Sequence, residues 1–284
     1  MPTARTSARK PAPRPRRTRK ELHELYEESV QCPEADILFY DRVYREWNGV
    51  LPRALREDFC GTAAICAAWV KWRRDNRAVG VDLHTPTIEH GLEKHIRPLG
   101  DDARRVLLLN ADVRDVRSPK VDVAVAMNFS YMILKTREEM LAYFRAVRAG
   151  LRPNGLFILD IFGGWESQAL KIEKRKKPGF TYIWRQASFD PISHHSKFHI
   201  DFRFKDGSEW KRAFTYDWRL WSVPEVRELL ADAGFGASVV YWEGTDQQTA
   251  GGNGVFRRTE RTRTCPGWIA YIVAGVRPQN GQPR

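Results

Sequence analysis

Acidic side chains follow successive predicted strands, and a short glycine-containing turn follows the first of them. The turn, Glu57-Asp58-Phe59-Cys60-Gly61-Thr62-Ala63, leads into an apolar stretch that predicts a helix, and Asp82 ends the next predicted strand. A tight strand-to-helix turn lets the backbone approach a ligand and presents free helix amides to it. A carboxylate at Asp82 can accept both ribose hydroxyls of a nucleoside. The spacing therefore indicates a nucleoside site.

Two further predicted strands also end in polar residues. Asn110-Ala111-Asp112 follows the third strand, and Asn128-Phe129-Ser130-Tyr131 follows the fourth. An ionised acid at Asp112 can accept a hydrogen bond from the amino group of an adenine ring. Because the carboxyl ends of parallel strands open at one edge of a sheet, we expect these groups to share one crevice with the turn.

The spacing of apolar residues predicts the strands that position these groups. Five predicted strands alternate mostly with helical patterns, at 54–59, 78–82, 106–110, 121–127 and 156–161. Thr136 and Glu139 form a capping box for the best-marked helix, which ends before a turn at 152–155. Repeated strand and helix units of this length indicate a parallel sheet with helices on both faces.

A segment with a different period interrupts this pattern. Apolar and polar residues alternate from Phe198 to Phe204, and Asp206-Gly207 is a hairpin turn signal. We therefore predict a small antiparallel β excursion at about 178–218. Alternation also places His199 and Asp201 on the polar face of a strand, where we expect them to be exposed.

After the excursion the chain returns to strands and helices. Ser222 and Glu225 form a second capping box. Strands are predicted at 238–242 and 268–274, and the segment between them, 244–264, is predicted to be a long loop. The arginines of this loop could contact RNA, or the loop could simply be solvated.

The order of these features resembles the class I S-adenosylmethionine-dependent methyltransferases, whose first motif commonly reads Asp-x-Gly-Cys-Gly-Thr-Gly. The resemblance covers roughly residues 50–275. It implies a Rossmann-like, doubly wound α/β fold with a seven-stranded sheet, mostly parallel with an antiparallel terminal strand. The implied cofactor is S-adenosyl-L-methionine, and the implied activity is transfer of its methyl group.

The resemblance also implies roles for particular residues. Glu57 would face the amino acid portion of the cofactor, Asp82 would hold the ribose, and Asp112 would contact the adenine. The full set of predicted cofactor-binding residues is Glu57, Asp58, Cys60, Gly61, Thr62, Asp82, Leu83, Asp112, Val113, Asn128 and Phe129.

The motif departs from the family pattern at two glycine positions, which Phe59 and Ala63 occupy. A dinucleotide-binding reductase would use the same layout but needs the spacing GxGxxG, which this turn lacks. Taken singly, Glu57 could be a surface acid, and Asp82 or Asp112 could cap a helix.

Candidates for the acceptor side come from the fourth strand and the excursion. We predict Tyr131, His195 and Arg219 as catalytic residues, because histidine titrates near neutrality and arginine binds anionic groups through its planar fork. Tyr26 and Tyr40, on two predicted N-terminal helices, could close as a lid or could simply pack.

Most of the excess positive charge lies in an N-terminal tail. The net charge is +12, yet the first 20 residues carry eight basic and no acidic side chains, which leaves 39 basic against 35 acidic in the remainder. Such a segment is typical of a disordered arm that is either solvated or in contact with a polyanion.

These patterns predict the organisation of the chain and its setting. We expect a disordered tail at 1–19, a helical lid at 20–48, a methyltransferase domain at 49–275 and a short tail at 276–284. The four cysteines lack metal-site spacing, so we expect no metal and reduced thiols. With no apolar run long enough for a membrane span and no apolar signal segment, the expected location is the cytoplasm.

The interpretation favoured by the sequence is a methyltransferase acting on a small-molecule acceptor without a membrane partner. One alternative is an RNA methyltransferase that uses the tail and the arginine loop. The other is a regulatory protein that binds the cofactor without catalysis. The sequence leaves the acceptor and the oligomeric state open.

Overall fold

Six α-helices and twelve β-strands make up the part of the chain that the computed structural model describes, residues 18–248 and 251–278. The helices are α1 (Arg19–Val30), α2 (Pro33–Asn48), α3 (Ala64–Trp72), α4 (Thr85–Gly91), α5 (Arg137–Gly150) and α6 (Val223–Asp232). Strands β1 to β5 are Ala54–Asp58, Arg77–Asp82, Val106–Asn110, Val121–Ala126 and Leu151–Gly163. Strands β6 to β12 are Lys171–Lys177, Phe180–Phe189, His195–Phe204, Glu209–Arg219, Ala237–Thr245, Gly252–Arg258 and Trp268–Gly275.

Two helices precede the first strand, as the sequence predicts. Thr18 caps α1 through a capping box with Glu21, and Pro33 at the start of α2 separates the two helices. The helix α2 ends at Gly49, whose φ of 72° is the left-handed conformation that glycine adopts without strain. The predicted disordered tail lies outside the described residues up to position 17.

The central sheet has eight strands in the order β11-β10-β12-β5-β4-β1-β2-β3. The strands from β5 to β3 in this order pair in parallel. By contrast, β12 runs antiparallel to both of its neighbours, β5 and β10. The predicted Rossmann-like α/β class, mostly parallel with an antiparallel closing strand, is therefore confirmed.

The predicted count of seven strands is wrong, because part of the segment predicted as a loop forms β11. This strand pairs antiparallel with β10, with Arg257 opposite Trp242. Its Phe256 stacks on Tyr271 of β12 with ring centroids 4.1 Å apart, which anchors an otherwise polar strand. One aromatic residue among glycines and arginines makes no two-residue period that the sequence would reveal.

The predicted β excursion is a four-stranded antiparallel sheet, β6-β7-β8-β9, which we call the small sheet. It runs from Lys171 to Arg219 and so begins before the predicted position 178. The missed strand β6 reads Lys-Ile-Glu-Lys-Arg-Lys-Lys. Its charges suit an exposed sheet edge, where they discourage pairing with another chain, but they hide the strand from an apolar pattern.

The turn predicted at 152–155 is a bulge within β5. Val121 of β4 lies opposite Leu151, whereas Val123 lies opposite Leu156. Residues 152–155 therefore face only one residue of β4, and the chain changes direction inside the strand as the Pro-Asn-Gly sequence indicates.

Apolar side chains cover both faces of the central sheet. The cluster on one face includes Phe144 and Val147 of α5 and Leu229 of α6. The cluster on the other face includes Val43 of α2 and Trp69 of α3. Each such side chain stabilises the fold by about 1.5–3 kcal/mol when fully buried. Helices on both faces thus hold the ends of β1, β2, β4 and β5 in fixed positions.

All four cysteines are free thiols; Cys60 and Cys66 are buried and Cys32 is exposed. Within residues 18–248 and 251–278, no three or more histidine, cysteine or acidic side chains are grouped so as to hold a metal ion. Over the same residues, no helix is both long and apolar enough to cross a membrane.

Candidate functional site

The turn between β1 and α3 keeps the left-handed backbone of a glycine-rich motif although two of its glycines are replaced. Phe59, Gly61 and Ala63 have φ values of 56°, 54° and 57°. For a residue with a side chain, this conformation costs roughly 1–2 kcal/mol. Strain of this kind persists where the surroundings enforce it, commonly at ligand sites. The turn therefore has the backbone shape of the motif although only Gly61 of its glycines is present.

The ring of Phe59 points away from the crevice of the turn and into the core. It packs edge-to-face on Tyr143 of α5 with ring centroids 5.6 Å apart. Tyr143 is fully buried on that face of the sheet. The bulky side chain at the first glycine position is therefore packed in part against the face of the sheet that α5 covers.

Glu57 and Asp58 lie on opposite faces of β1, as successive strand residues must. The Asp58 carboxylate accepts hydrogen bonds from Arg56 at 2.8 Å and from the Tyr143 hydroxyl at 2.9 Å, on the face covered by α5. Glu57 instead faces α3, where it accepts the backbone N–H of Cys66 at 3.2 Å. One oxygen of Asp58 is thus occupied in the core by Arg56 and Tyr143, on the face of β1 opposite to Glu57.

Glu57 is a buried acid whose described hydrogen-bond partners are uncharged. Its side chain meets only the backbone N–H and the thiol of Cys66. Burial raises the pKa of Glu57 to about 8, because a carboxylate without a cation is poorly stabilised away from water. A cationic group beside it would favour its ionised form.

Asp82 connects the end of β2 to the turn. One of its carboxylate oxygens accepts the backbone N–H of Gly61 at 2.9 Å, and the other accepts the backbone N–H of His84 at 2.8 Å. Each oxygen retains a second lone pair for a ligand hydroxyl. The structure therefore brings together the two features that the sequence combined, the turn and the acid after β2.

The region predicted to hold an adenine ring contains one exposed apolar side chain and one paired acid. Leu83 is 67% exposed directly after Asp82. Asp112 accepts hydrogen bonds from Nε of Arg114 at 3.0 Å and from Nη2 at 2.6 Å, and these bonds lower its pKa. Val113 is buried. A ligand contact at Asp112 therefore has to share the carboxylate with Arg114.

The turn after β4 is built on an acid that sequence reasoning missed. Asn128 and Phe129 have φ values of 58° and 57°, and their backbone N–H groups each donate to Asp160 of β5 at 2.8 Å. Asp160 is buried, which raises its pKa to about 8. The sequence does mark this residue, because Asp160 is the only charged residue between Gly155 and Gly164.

Two buried tyrosine hydroxyls near these acids have no hydrogen-bond partner among the described residues. Tyr40 of α2 and Tyr131, after β4, are both 0% exposed. Burial, then nearby acids including Glu57 and Asp160, raises the pKa of Tyr40. Burial and then Asp160 raise the pKa of Tyr131. Unpaired buried hydroxyls are costly, so these two positions call for an explanation.

Aromatic side chains of the small sheet face the end of the central sheet. Phe129 lies 4.7 Å from Phe162 and 6.3 Å from Trp218, measured between ring centroids. Phe162 and Trp218 both lie near Phe198, at 6.0 Å and 5.3 Å. This cluster, with Trp184 and Tyr216 at its edge, forms what we call the aromatic wall.

The structure does not bring His195 and Arg219 to this wall. They lie opposite each other in β8 and β9 and alternate with Phe198 and Trp218, so they occupy the other face of the small sheet. The Arg219 guanidinium donates to the backbone carbonyl of Lys135 at 3.1 Å and to Glu225 at 2.9 Å. Arg219 therefore joins β9 to α5 and α6.

The prediction that His199 and Asp201 are exposed is wrong. Both are buried, at 9% and 3% exposure. Asp201 pairs with Arg185 at 2.7 Å, and the His199 ring bonds to the Thr215 hydroxyl at 3.0 Å. Long side chains on neighbouring strands cover this face, which the alternation within a single strand does not reveal.

The side chains of three further residues singled out in the sequence contact neighbouring parts of the protein. The Cys60 side chain is buried against Gly80 of β2. The Thr62 hydroxyl donates to Glu27 of α1 at 2.6 Å. Tyr26, on the same helix, packs on Phe214 of the small sheet with ring centroids 4.9 Å apart.

The chain was compared with protein-family models and with curated proteins. No family model matches the chain. The curated protein "Putative methyltransferase YqeM" from Bacillus subtilis (strain 168) is 22% identical to it over 243 residues, which cover 81% of this chain and 95% of that protein.

Solved structures share the fold over most of its length. An S-adenosylmethionine-dependent methyltransferase from Clostridium acetobutylicum ATCC 824 has a TM-score of 0.66 at 14% identity and covers 92% of this chain and 99% of its own. CalS10 from Micromonospora echinaspora, an amino pentose methyltransferase solved with S-adenosylmethionine bound, has a TM-score of 0.63 at 17% identity, with 89% and 95% covered. The resemblance drawn from the sequence is thus confirmed at the level of the fold.

Proposed function

We propose that this protein is an S-adenosylmethionine-dependent methyltransferase that acts on a small-molecule acceptor. The observation that carries the proposal is the arrangement of Glu57, Asp82 and Asp160 at the carboxyl edge of the central sheet, around left-handed backbone turns. Two of these acids are buried without a cation, and the third is held against the β1–α3 turn. A positively charged nucleoside fits this set of groups.

The residues present fit the cofactor group by group. Asp82 would accept the ribose hydroxyls, Leu83 and Val113 would contact the adenine, and Asp112 would accept its amino group beside Arg114. The orphaned hydroxyls of Tyr40 and Tyr131 would gain a polar partner.

The amino acid portion of the cofactor would lie between the two buried acids. Glu57 would face its ammonium group, while Gly61, Asn128 and Phe129 would contribute backbone. When bound, the cofactor supplies a methyl group activated by a positively charged sulfonium. A nearby positive charge would lower the pKa of Glu57 and of Asp160, so both would ionise on binding.

The aromatic wall supports an acceptor that carries an amine. Its rings belong to Phe129, Phe162, Trp184, Phe198, Tyr216 and Trp218. Aromatic faces attract ammonium groups. CalS10 acts on an amino pentose by its name. We therefore propose an amine nitrogen as the acceptor atom.

The protein's own contributions to transfer would be positioning, exclusion of water and removal of a proton. We propose Asp160, in place of the predicted Tyr131, His195 and Arg219, as the group that takes the amine proton. Once the cofactor's positive charge has ionised it, this carboxylate could accept a proton. The aromatic wall would orient the acceptor and keep water from the methyl group.

Calorimetric titration with S-adenosylmethionine tests the cofactor assignment. We expect Asp82→Ala to weaken binding by about 10- to 100-fold, since it removes hydrogen bonds to a charged group worth about 1.5–3 kcal/mol. Asp115→Ala is the matched control, because Asp115 is an exposed acid close to the site in sequence. Absence of binding by the unaltered protein would exclude the proposal.

The acceptor class is tested by the release of S-adenosylhomocysteine in the presence of paired compounds. Each pair consists of an amino sugar and the parent sugar with a hydroxyl in its place. We expect release with amino sugars alone; release with the hydroxyl partners would exclude an amine-specific enzyme.

A further inference from the structure

Helix α1 lies between two parts of the molecule and contacts them with different chemistry. Leu22, Leu25, Tyr26 and Val30 pack on the small sheet, against a cluster that includes Tyr182 and Phe202. The Nζ of Lys177 also donates to the backbone carbonyl of Glu28 at 2.8 Å, so the end of α1 is attached to β6. One side of α1 therefore belongs with the small sheet.

On its other side, α1 contacts the central domain, and several of these contacts meet at one carboxylate. Oε1 of Glu27 accepts the hydroxyl of Thr62 at 2.6 Å and contacts Nε2 of His95 at 2.9 Å. Oε2 accepts Nζ of Lys94 at 2.6 Å. We call these four residues the Glu27 cluster.

The Glu27 cluster is largely shielded from water, and its contacts stabilise the ionised form of Glu27. Only 13% of the Glu27 side chain is exposed, and the side chains of Lys94 and His95 are 28% and 21% exposed. The pKa of Glu27 falls to about 2, because three hydrogen bonds to its ionised form outweigh the opposing effect of burial. The carboxylate therefore stays ionised and fully engaged at neutral pH.

Thr62 connects the Glu27 cluster to the candidate site. It belongs to the strained turn between β1 and α3, three residues after Phe59 and one before Ala63. The Glu27–Thr62 hydrogen bond is therefore a direct link from α1 to the turn that would bind the cofactor. Lys94 and His95, in the π-helical segment Leu92–Ile96 after α4, complete the attachment.

The two sides of α1 respond differently to a small displacement. Apolar packing is non-directional and tolerates sliding, whereas hydrogen bonds weaken steeply as their geometry changes. If α1 moves away from the turn, it loses the Glu27 cluster and keeps the small sheet. A stacked pair, His23 and His90, with ring centroids 4.9 Å apart, would part at the same time.

We infer that Glu27 is a positioning residue that latches α1 over the β1–α3 turn, so that the cofactor enters and leaves only when this latch opens. The helix and the small sheet move together during opening. The part of this inference that concerns the cofactor rests on the proposed function, whereas the latch itself does not.

Hydrogen–deuterium exchange measures the latch without any ligand. In Glu27→Gln we expect backbone amides of residues 19–30 to exchange about tenfold faster, the change that loss of roughly 1.4 kcal/mol of local stability produces. Glu28→Gln is the matched control, because Glu28 is exposed on the same helix and its recorded contact with Lys177 is through the backbone carbonyl. Equal exchange in both variants would overturn the latch.

Lys94→Met provides a second variant should Glu27→Gln fail to fold, since it removes one arm of the cluster and leaves the acid in place. We expect its exchange at 19–30 to rise as well, with the thermal midpoint close to that of the unaltered protein. A rise spread over the whole chain would indicate general destabilisation and would overturn a local latch.

Stopped-flow displacement of S-adenosylhomocysteine tests the gate. We expect Glu27→Gln to release this ligand about tenfold faster than Glu28→Gln. If Glu27→Gln releases the ligand at an unchanged rate while its amides at 19–30 exchange faster, the latch exists but does not control cofactor release, and the gating part of the inference is overturned. If the unaltered protein binds no S-adenosylhomocysteine, the proposed function fails, and the exchange experiment still decides the latch.

Discussion

Glu57 and Asp160 show how burial prepares individual side chains for a cationic ligand. Each acid lies at the carboxyl end of a parallel strand, and each has hydrogen bonds only from uncharged groups among the described residues. Their raised pKa values represent a cost of ionisation that a bound cation would offset. Asp58, one residue away from Glu57, already pairs with a cation, the guanidinium of Arg56.

The raised pKa of Glu57 predicts a pH dependence of stability. In the unfolded chain this acid ionises near pH 4.5, whereas in the folded protein its pKa is about 8. Between these values the unfolded state holds fewer protons, so this group's contribution to the free energy of unfolding falls as pH rises.

Glu57→Gln should remove that contribution. In urea titrations of the ligand-free protein between about pH 5 and 8, we expect the variant to lose less stability with rising pH than the unaltered protein. Glu228→Gln, at an exposed position in α6, should keep the original slope. Parallel pH profiles for Glu57→Gln and the unaltered protein would contradict the assigned shift.

The sequence could indicate the acids of the site but not which of them are free. Glu57 and Asp58 are indistinguishable in a motif, and only the positions of Arg56 and Tyr143 separate their roles. Asp160 stands out in the sequence as a lone charge in an apolar strand, but its partners, Asn128 and Phe129, belong to a distant segment. Long-range pairing of this kind leaves no local signature.

At the scale of elements, two aspartates hold opposite ends of the central sheet in the same way. Asp160 accepts two backbone N–H groups after β4, and Asp122 accepts those of Arg53 and Ala54 before β1, each at 2.8 Å. Only the first pair lies at the proposed site. The two residues both bind a pair of backbone amides, but Asp122 also pairs with Arg152 at 2.8 Å.

Replacing each aspartate by alanine separates these two roles. We expect both Asp160→Ala and Asp122→Ala to lower the free energy of unfolding by about 2–4 kcal/mol, because each leaves two shielded amides without an acceptor. Only Asp160→Ala should also abolish calorimetric binding of S-adenosylmethionine. Equal binding by the two variants would show that Asp160 has a structural role alone.

Helices and strands could be predicted where the residues that define them are close together in the sequence. The capping boxes at Thr136 and Ser222 begin α5 and α6 as predicted, because a cap involves residues three positions apart. The strands β6 and β11 were missed because their polar sequences pair only through neighbours brought together by the fold. The same cause misplaced His199 and Asp201.

At the scale of the whole molecule, most of the excess positive charge lies in the N-terminal part of the sequence. Eight of the basic residues lie in the first 20 positions, mostly outside the described part of the chain. We predict that deleting residues 1–17 leaves the affinity for S-adenosylmethionine unchanged in calorimetry, because α1 begins at a cap formed by Thr18 and Glu21. A large loss of affinity would show that the tail takes part in the site.

We propose that the carboxyl edge of the central sheet binds S-adenosylmethionine and no dinucleotide. Side-by-side calorimetric titration of the full chain with S-adenosylmethionine and with NADH distinguishes the two. We expect saturable one-to-one binding of S-adenosylmethionine and none of NADH, because the β1–α3 turn lacks the glycine spacing that admits a pyrophosphate. Binding of NADH, or of neither compound, would contradict it.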